Sequence, residues 1–129
     1  MVVHKHLLIR SYVEEPFTET QDAKNWLREL VQKIGMKLLP NGGPHSDYVE
    51  VEGNEGLTGV AMIETSHIAM HIWDKLDPPL LQMDVYSCAD YEVDTIVDHL
   101  KVMKPISLEY MSIDRNDNLK LESNGKIEF

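Results

Sequence analysis

The order of apolar segments along this chain is the feature that most restricts how it can fold. Two segments, residues 18–34 and 90–104, have apolar residues at helical spacing, and they end at Gly35 and Pro105. The other apolar runs are short and rich in β-branched residues, which is typical of strands. Because both helices can cover one face of a mainly antiparallel sheet, we predict an α/β fold, a two-layer α/β sandwich with its helices on one face.

Seven short segments are the predicted strands, and the short spacers between the later ones favour antiparallel neighbours. They are residues 5–13, 36–39, 48–51, 58–63, 67–73, 80–88 and 106–113. No repeat or Pro/Gly/Ser-rich linker divides the chain, so we predict a single domain over residues 1–115. The polar residues 116–129 are interpreted as a loose C-terminal tail.

Charge and composition restrict the partners of this chain. Its 129 residues include 22 acidic and 12 basic side chains, a net charge of −10 at pH 7. A field of that sign repels nucleic-acid phosphates and anionic membranes, so we predict neither as a partner. No apolar stretch approaches the roughly 20 residues that span a bilayer, and we identify no signal peptide. The single cysteine, Cys88, suits a reducing compartment, so we expect the chain in the cytoplasm.

Residues 41–74 form an acidic stretch with six carboxylates and no Lys or Arg. If this stretch lines a pocket, the pocket should prefer a cationic ligand. The other interpretation is that the acids are solvated surface charges, and charge patterning alone favours it.

The densest group of reactive side chains lies in residues 65–74. Strand alternation places His67, Ala69, His71 and Trp73 on one face, with the apolar residues between them on the other. His4 and His6 on a neighbouring strand offer two further imidazoles, but no tight ligand spacing supports a metal site, and we predict no metal.

Cys88 lies where a predicted strand ends and an acidic helix start follows. A lone cysteine is most often a small buried apolar residue, but a strand end before a helix is also a place where reactive groups meet. The chain contains no GxSxG elbow, no phosphate-binding glycine loop and no dinucleotide fingerprint.

Three blocks of the sequence resemble the bacterial and archaeal S-adenosylmethionine decarboxylases. Residues 56–71 are similar to the processing-site pattern G-x-S-G-V-x-x-x-x-E-S-H-x-x-x-H of that family. Residues 83–88 are similar to its D-x-F-T-C segment, and residues 5–8 to its opening H-L strand. The blocks occur in the family's order, and the resemblance covers roughly residues 4–110.

The resemblance implies a proenzyme that builds a pyruvoyl cofactor from its own backbone, which forms a Schiff base with the substrate. Ser66 would attack the preceding carbonyl, cleave the Thr65-Ser66 bond and become the pyruvoyl group. His71 would assist the elimination, Thr58 stands at the hydroxyl position that aids processing, and Cys88 would protonate the decarboxylated carbon. We expect Thr58, Ser66, His71 and Cys88 to converge in one cleft. A departure from the pattern is Thr65, which replaces the family's glutamate.

The family resemblance also implies a substrate and a partner. The substrate would be S-adenosylmethionine, a sulfonium cation, decarboxylated for polyamine (spermidine) biosynthesis, and the protein would be a homodimer. The family's ribose-binding glutamate has no match here. We therefore assign substrate binding to Asp74, Trp73 and Glu64, with Asp77 as an alternative to Asp74.

Two alternative functions remain open at this point. One is an unprocessed, non-catalytic homologue that binds a cationic nucleoside or amine ligand. The other is a relative that decarboxylates a different amino acid, because two extra residues between His71 and Cys88 reshape the substrate loop.

Overall fold

The computed structural model describes residues 3–129 as one seven-stranded sheet and two α-helices. The elements are β1 (Lys5–Val13), α1 (Thr20–Lys33), β2 (His45–Val49), β3 (Gly56–Ile63), β4 (Ser66–Trp73), β5 (Leu80–Ser87), α2 (Val93–Leu100), a 3₁₀ turn (Lys101–Met103), β6 (Pro105–Asp114) and β7 (Lys120–Glu128). The strand order is β2-β3-β4-β5-β1-β6-β7, and every neighbouring pair is antiparallel.

One face of the sheet carries the core, and both helices contribute to it. Alternate residues of the central strands, such as Leu7, Ile68 and Val85, are fully buried together with Leu30 of α1 and Leu100 of α2. This confirms the predicted two-layer α/β sandwich with a mainly antiparallel sheet. Among residues 3–129, no helix has the length and apolar character needed to cross a membrane.

The two helices are joined by a buried polar contact between Trp26 and His99. The indole N–H of Trp26 donates to the His99 carbonyl at 2.9 Å, and His99 Nε2 donates to the Trp26 carbonyl at 2.9 Å. The two rings stack with their centroids 4.6 Å apart. Burial lowers the pKa of His99, and the nearby Lys33 ammonium lowers it further.

The C-terminal residues are not a loose tail, so that part of the sequence prediction is wrong. Residues Lys120–Glu128 form β7, which pairs with β6 in a register that places Ile127 opposite Leu108. The side chains of β7 are mostly exposed because it is an edge strand. Its polar, Lys-bearing sequence is common at sheet edges, where backbone bonding to the neighbour provides most of the order.

The predicted strand at residues 36–39 is also wrong, although the segment is bonded to the sheet. Its only bridge within the described residues joins Leu38 to Ile63. Residues 36–42, which we name the strap, run beside the turn between β3 and β4. Gly42 belongs there because a Cβ atom on it would collide with the Met62 carbonyl oxygen.

Candidate active site

The Thr65-Ser66 bond lies in the tight turn that joins β3 to β4. Ser66 has φ of 143°, a backbone conformation that L-residues rarely adopt. Such strain costs about 1–3 kcal/mol and persists only where the surroundings impose it. The predicted cleavage point therefore adjoins a residue with a strained backbone torsion.

Cys88 contacts this bond through its backbone. Its N–H donates to the Thr65 carbonyl oxygen at 3.0 Å, directly after Ser87, the register partner of Ser66. The Cys88 side chain is half-buried rather than sealed in the core. A backbone donor on a carbonyl oxygen stabilises negative charge that develops there when a nucleophile attacks.

Thr58 and His71 form a second pair on the sheet face that the helices leave open. They are register partners on β3 and β4, and Thr58 Oγ1 lies 3.3 Å from His71 Nδ1. The His71 side chain is exposed, so both its ring and the hydroxyl beside it are open to a ligand or a partner.

The four residues do not converge in one cleft within a single chain, contrary to our expectation. Ser66 and His71 lie five residues apart on β4. At roughly 3.3 Å per residue, that spacing separates their backbones by about 16 Å. The structure therefore brings Ser66 close to Cys88 and Thr58 close to His71, but it keeps the two pairs apart.

A cluster that the sequence predicted only in part lies on the open face near Ser66, since the sequence pointed to His6 and His67 but not to Asp84. Asp84 Oδ2 accepts hydrogen bonds from His6 Nε2 at 2.9 Å and from His67 Nε2 at 2.8 Å. His67 does share a face with His71, as predicted, but its hydrogen-bond partner is Asp84, and the ring next to it is that of His6, with centroids 6.1 Å apart. The only sequence signal was the reactive type of each residue, because strand register brings the three together.

This cluster offers three potential metal-ligand atoms within 4.8 Å of one another, from His6, His67 and Asp84. Arg115 lies 3.2 Å from His6 Nδ1 and can only donate to it, so His6 Nε2 carries the ring proton that bonds Asp84. A metal-bound histidine normally donates its second nitrogen to an acceptor. The contact with Arg115 therefore favours a hydrogen-bonded network over a metal site at these three residues.

The predicted substrate-binding residues fall at opposite ends of β4. Trp73 donates its indole N–H to Asn54 at 3.0 Å, and the Tyr48 hydroxyl bonds both Asp74 carboxylate oxygens at 2.9 and 3.1 Å. Partial burial and the Asp74 carboxylate raise the pKa of Tyr48. Glu64 is exposed in the β3–β4 turn, at the Ser66 end and away from the other two.

Comparison with known proteins identifies the family. The sequence model of the S-adenosylmethionine decarboxylase family matches residues 5–116. The chain belongs to this family. The match includes both residue pairs and ends before β7.

Several relatives of the chain are named S-adenosylmethionine decarboxylase proenzyme. The protein from Picrophilus torridus is 33% identical over 67 residues, which cover 50% of each chain. The protein from Methanococcus maripaludis strain C7 is 38% identical over 63 residues, 47% of this chain and 50% of that one. A more distant relative from Archaeoglobus fulgidus is 25% identical over 119 residues, 89% of this chain and 99% of that one. The alignments to the first two thus span about half the length of each relative.

A solved structure has the same fold. The crystal structure of the adenosylmethionine decarboxylase from Aquifex aeolicus VF5 superposes with a TM-score of 0.67 at 21% sequence identity. The alignment covers 96% of this chain and 98% of that one. The fold that the two proteins share therefore extends into β7, beyond residue 116, where the match to the family sequence model ends.

Proposed function

We propose that this chain is a proenzyme that cleaves its own Thr65-Ser66 bond and then decarboxylates S-adenosylmethionine, feeding polyamine (spermidine) synthesis. The observation that carries the proposal is the hydrogen bond from the Cys88 amide to the Thr65 carbonyl, beside a strained serine. The names of the relatives support the same reaction.

The cleavage uses atoms that the turn already holds together. Ser66 Oγ bonds to the Thr65 carbonyl carbon, and the Ser66 nitrogen takes up a proton and leaves, so that the amide becomes an ester. The Cys88 N–H stabilises the oxyanion that forms during this attack. A base then removes the Ser66 Cα proton, the Cβ–Oγ bond breaks, and Thr65 keeps the carboxylate. Water and loss of ammonia convert the remaining dehydroalanine into a pyruvoyl end.

The residues around Ser66 fit a pyruvoyl group at this position. The group supplies an electron sink for loss of carbon dioxide from an amino acid. Cys88 is adjacent and half-buried, so its thiol can hold the proton that the product carbon needs. That role requires a reduced thiol, which favours a reducing compartment such as the cytoplasm.

The cheapest test of this proposal is the mass of the purified chain. Cleavage after residue 65 leaves fragments of 65 and 64 residues, so wild-type protein should run near half of its intact mass on a denaturing gel, and mass spectrometry should show an N-terminal fragment that ends in Thr65. Ser66→Ala lacks the attacking oxygen and should stay intact at 14.8 kDa without reacting with carbonyl reagents. A wild-type chain that stays whole after long incubation would instead indicate a non-catalytic ligand-binding homologue.

The separation of the two residue pairs supports a homodimer with shared active sites. His71 lies about 16 Å from Ser66 on the same strand, too far to transfer a proton to or from it. Two copies that pack open face to open face, about a two-fold axis between the pairs, would place His71 and Thr58 of the partner subunit beside Ser66. Each dimer would then contain two complete sites.

The open face has the character that such an interface needs. Leu8, Met62 and Met111 point from it with 39%, 41% and 42% of their surfaces exposed. A cleft of ≈ 420 Å³ beside Leu8 and Met111 has His71 and Asp84 on its wall. Exposed apolar side chains close together on one face are typical of a protein interaction site.

Complementation between two inactive variants tests the shared site. In a cell that makes both Ser66→Ala and His71→Ala chains, a mixed dimer would have one site with both changes and one unchanged site. We expect cleavage of the His71→Ala chain to reappear in the mixture, although neither variant cleaves alone. Absence of rescue in mixed dimers purified through two different tags would rule out the shared site and leave the cleavage proposal intact.

The substrate's charge provides an independent test. A cleft of ≈ 230 Å³ beside His71 is lined in part by Val51 and Asn54 of the acidic loop at residues 50–55. We expect S-adenosylmethionine to bind more tightly than S-adenosylhomocysteine, whose sulfur is uncharged, and added salt should narrow the difference. Asp74→Asn should weaken binding of the sulfonium compound more. Equal affinities of the wild type in calorimetry would contradict a charge-selective site.

A further inference from the structure

The strap, residues 36–42, is fixed to both α1 and the cleavage turn. At the end of α1 the Gly35 N–H donates to the Gln32 carbonyl and the Met36 N–H to the Val31 carbonyl, both at 3.0 Å. These two bonds, with Gly35 at φ +75°, form a Schellman motif. The backbone of Met36 is therefore held by the helix.

The next residues of the strap bond the turn itself. The Glu64 N–H donates to the Lys37 carbonyl at 2.9 Å, and the Leu39 N–H donates to the Met62 carbonyl at 3.0 Å. The Met62 N–H in turn donates to the Gly42 carbonyl at 2.9 Å. The strap thus holds the backbone of the turn up to the residue before Thr65.

The Met36 sulfur extends this contact to the side chains of Thr65, before the cleavage point, and of Ser87 at the end of β5. The Thr65 hydroxyl donates to Met36 Sδ at 3.1 Å, and the Ser87 hydroxyl donates to it at 3.3 Å. Ser87 is fully buried and is the register partner of Ser66. One sulfur therefore joins the cleavage turn to the end of β5, directly before the Cys88 amide.

We propose that Met36 is a positioning residue for self-cleavage, which holds the Thr65 carbonyl against the Cys88 amide through the Thr65 hydroxyl. The proposal rests on the proposed function, since it requires cleavage at Thr65-Ser66. It also gives a role to Thr65, which departs from the family pattern at this position. An ionised glutamate there has no donor to offer the Met36 sulfur, whereas the threonine hydroxyl donates to it.

The proposal predicts that cleavage depends on the sulfur and the hydroxyl as a pair. Met36→Leu keeps the apolar volume but loses the acceptor, and Thr65→Val keeps the shape but loses the donor. Each should slow cleavage about tenfold, the rate equivalent of one neutral hydrogen bond. The double variant should be no slower than Met36→Leu alone, because Thr65→Val then removes no further contact to the sulfur. Thr65→Ser, which keeps the hydroxyl, should cleave at close to the wild-type rate.

The experiment follows the intact chain on a denaturing gel after synthesis, with thermal unfolding measured for each variant. Met103→Leu in the core and Thr18→Val at an exposed position repeat the two substitutions away from the turn and should leave the cleavage rate unchanged. Hydroxylamine cleaves an ester but not an amide, so it reports the first step separately. We expect the hydroxylamine-sensitive fraction to fall in Met36→Leu and Thr65→Val.

The outcomes distinguish a failure of the Met36 positioning role from a failure of the proposed self-cleavage. If wild-type protein cleaves while Met36→Leu and Thr65→Val keep its rate, the positioning role is wrong and the proposed function stands. Additive slowing in the double variant would also overturn it, since independent effects mean no shared contact. If wild-type protein does not cleave, both proposals fail together. Should Met36→Leu fold poorly, the contrast between Thr65→Val and Thr65→Ser decides the question.

Discussion

The two faces of the sheet are made from the same strands but have different chemistry. On the helix-covered face, β4 contributes Ile68, Met70 and Ile72, each at most 1% exposed. On the open face the same strand contributes His67 and His71, both of which are accessible. Since side chains alternate along a strand, one segment supplies both the packing and the candidate chemistry.

This difference suggests that stability and function are divided between the faces. The covered face stabilises the fold by burying apolar area and by the Trp26–His99 contact between helices. The open face holds the half-exposed cluster around Asp84 and the Thr58–His71 pair. Substitutions on the two faces should therefore have separable effects.

The largest expected effect comes from paired substitutions on β4. Ile68→Ala should lower the free energy of unfolding by about 2–5 kcal/mol, because it leaves a cavity in the core. His71→Ala, three residues along the same strand, should change it by less than about 0.5 kcal/mol and abolish cleavage. Denaturant titration of both variants, made on the Ser66→Ala background to keep the chain whole, checks the stabilities, and a denaturing gel of His71→Ala with Ser66 retained checks cleavage. Equal losses of stability in the two variants would contradict the claim that only the covered face stabilises the fold.

A smaller effect should follow from pH, through His99 on the covered face. Its lowered pKa means that the folded protein resists protonation below pH 6.5, where the unfolded chain binds the proton. The contribution of His99 to stability is thus complete above pH 6.5 and is lost as the pH falls toward its folded pKa, by up to about 1.4 kcal/mol per pH unit. His99→Gln removes the titrating group, and chemical denaturation between pH 5 and 7 should then show a flatter profile. If the free energy of unfolding still depends on pH as steeply as in the wild type, His99 is not the cause of that dependence.

The smallest effect is expected at Asp84 on the open face. Asp84→Asn keeps the side chain's size and one oxygen acceptor for His6 and His67 but removes the negative charge. Because the side chains are 21%, 39% and 26% exposed for His6, His67 and Asp84, the stability loss should be less than about 1 kcal/mol. The measurement is the same denaturant titration. A loss as large as that of Ile68→Ala would mean that the open face also stabilises the fold.

Much of the architecture was predictable because it depends on local patterns. The apolar spacing before Gly35 predicted α1, and the run at residues 5–13 predicted β1 with the bounds that the structure has. The strand β7 was missed because its order comes from backbone bonds to β6, whereas its own side chains are polar. A pattern of side chains carries little information about a strand of that kind.

The sequence by itself determined the residue types of the candidate site and the face on which His67 and His71 lie. Only the tertiary structure decided which residues meet: the Cys88 amide with the Thr65 carbonyl, Asp84 with two histidines, and the Met36 sulfur with Thr65. These contacts join residues from 17 to 78 positions apart along the chain. Their formation depends on the register of paired strands and on the route of the strap. Such properties are set by the packing of the whole chain, and no local pattern of side chains encodes them.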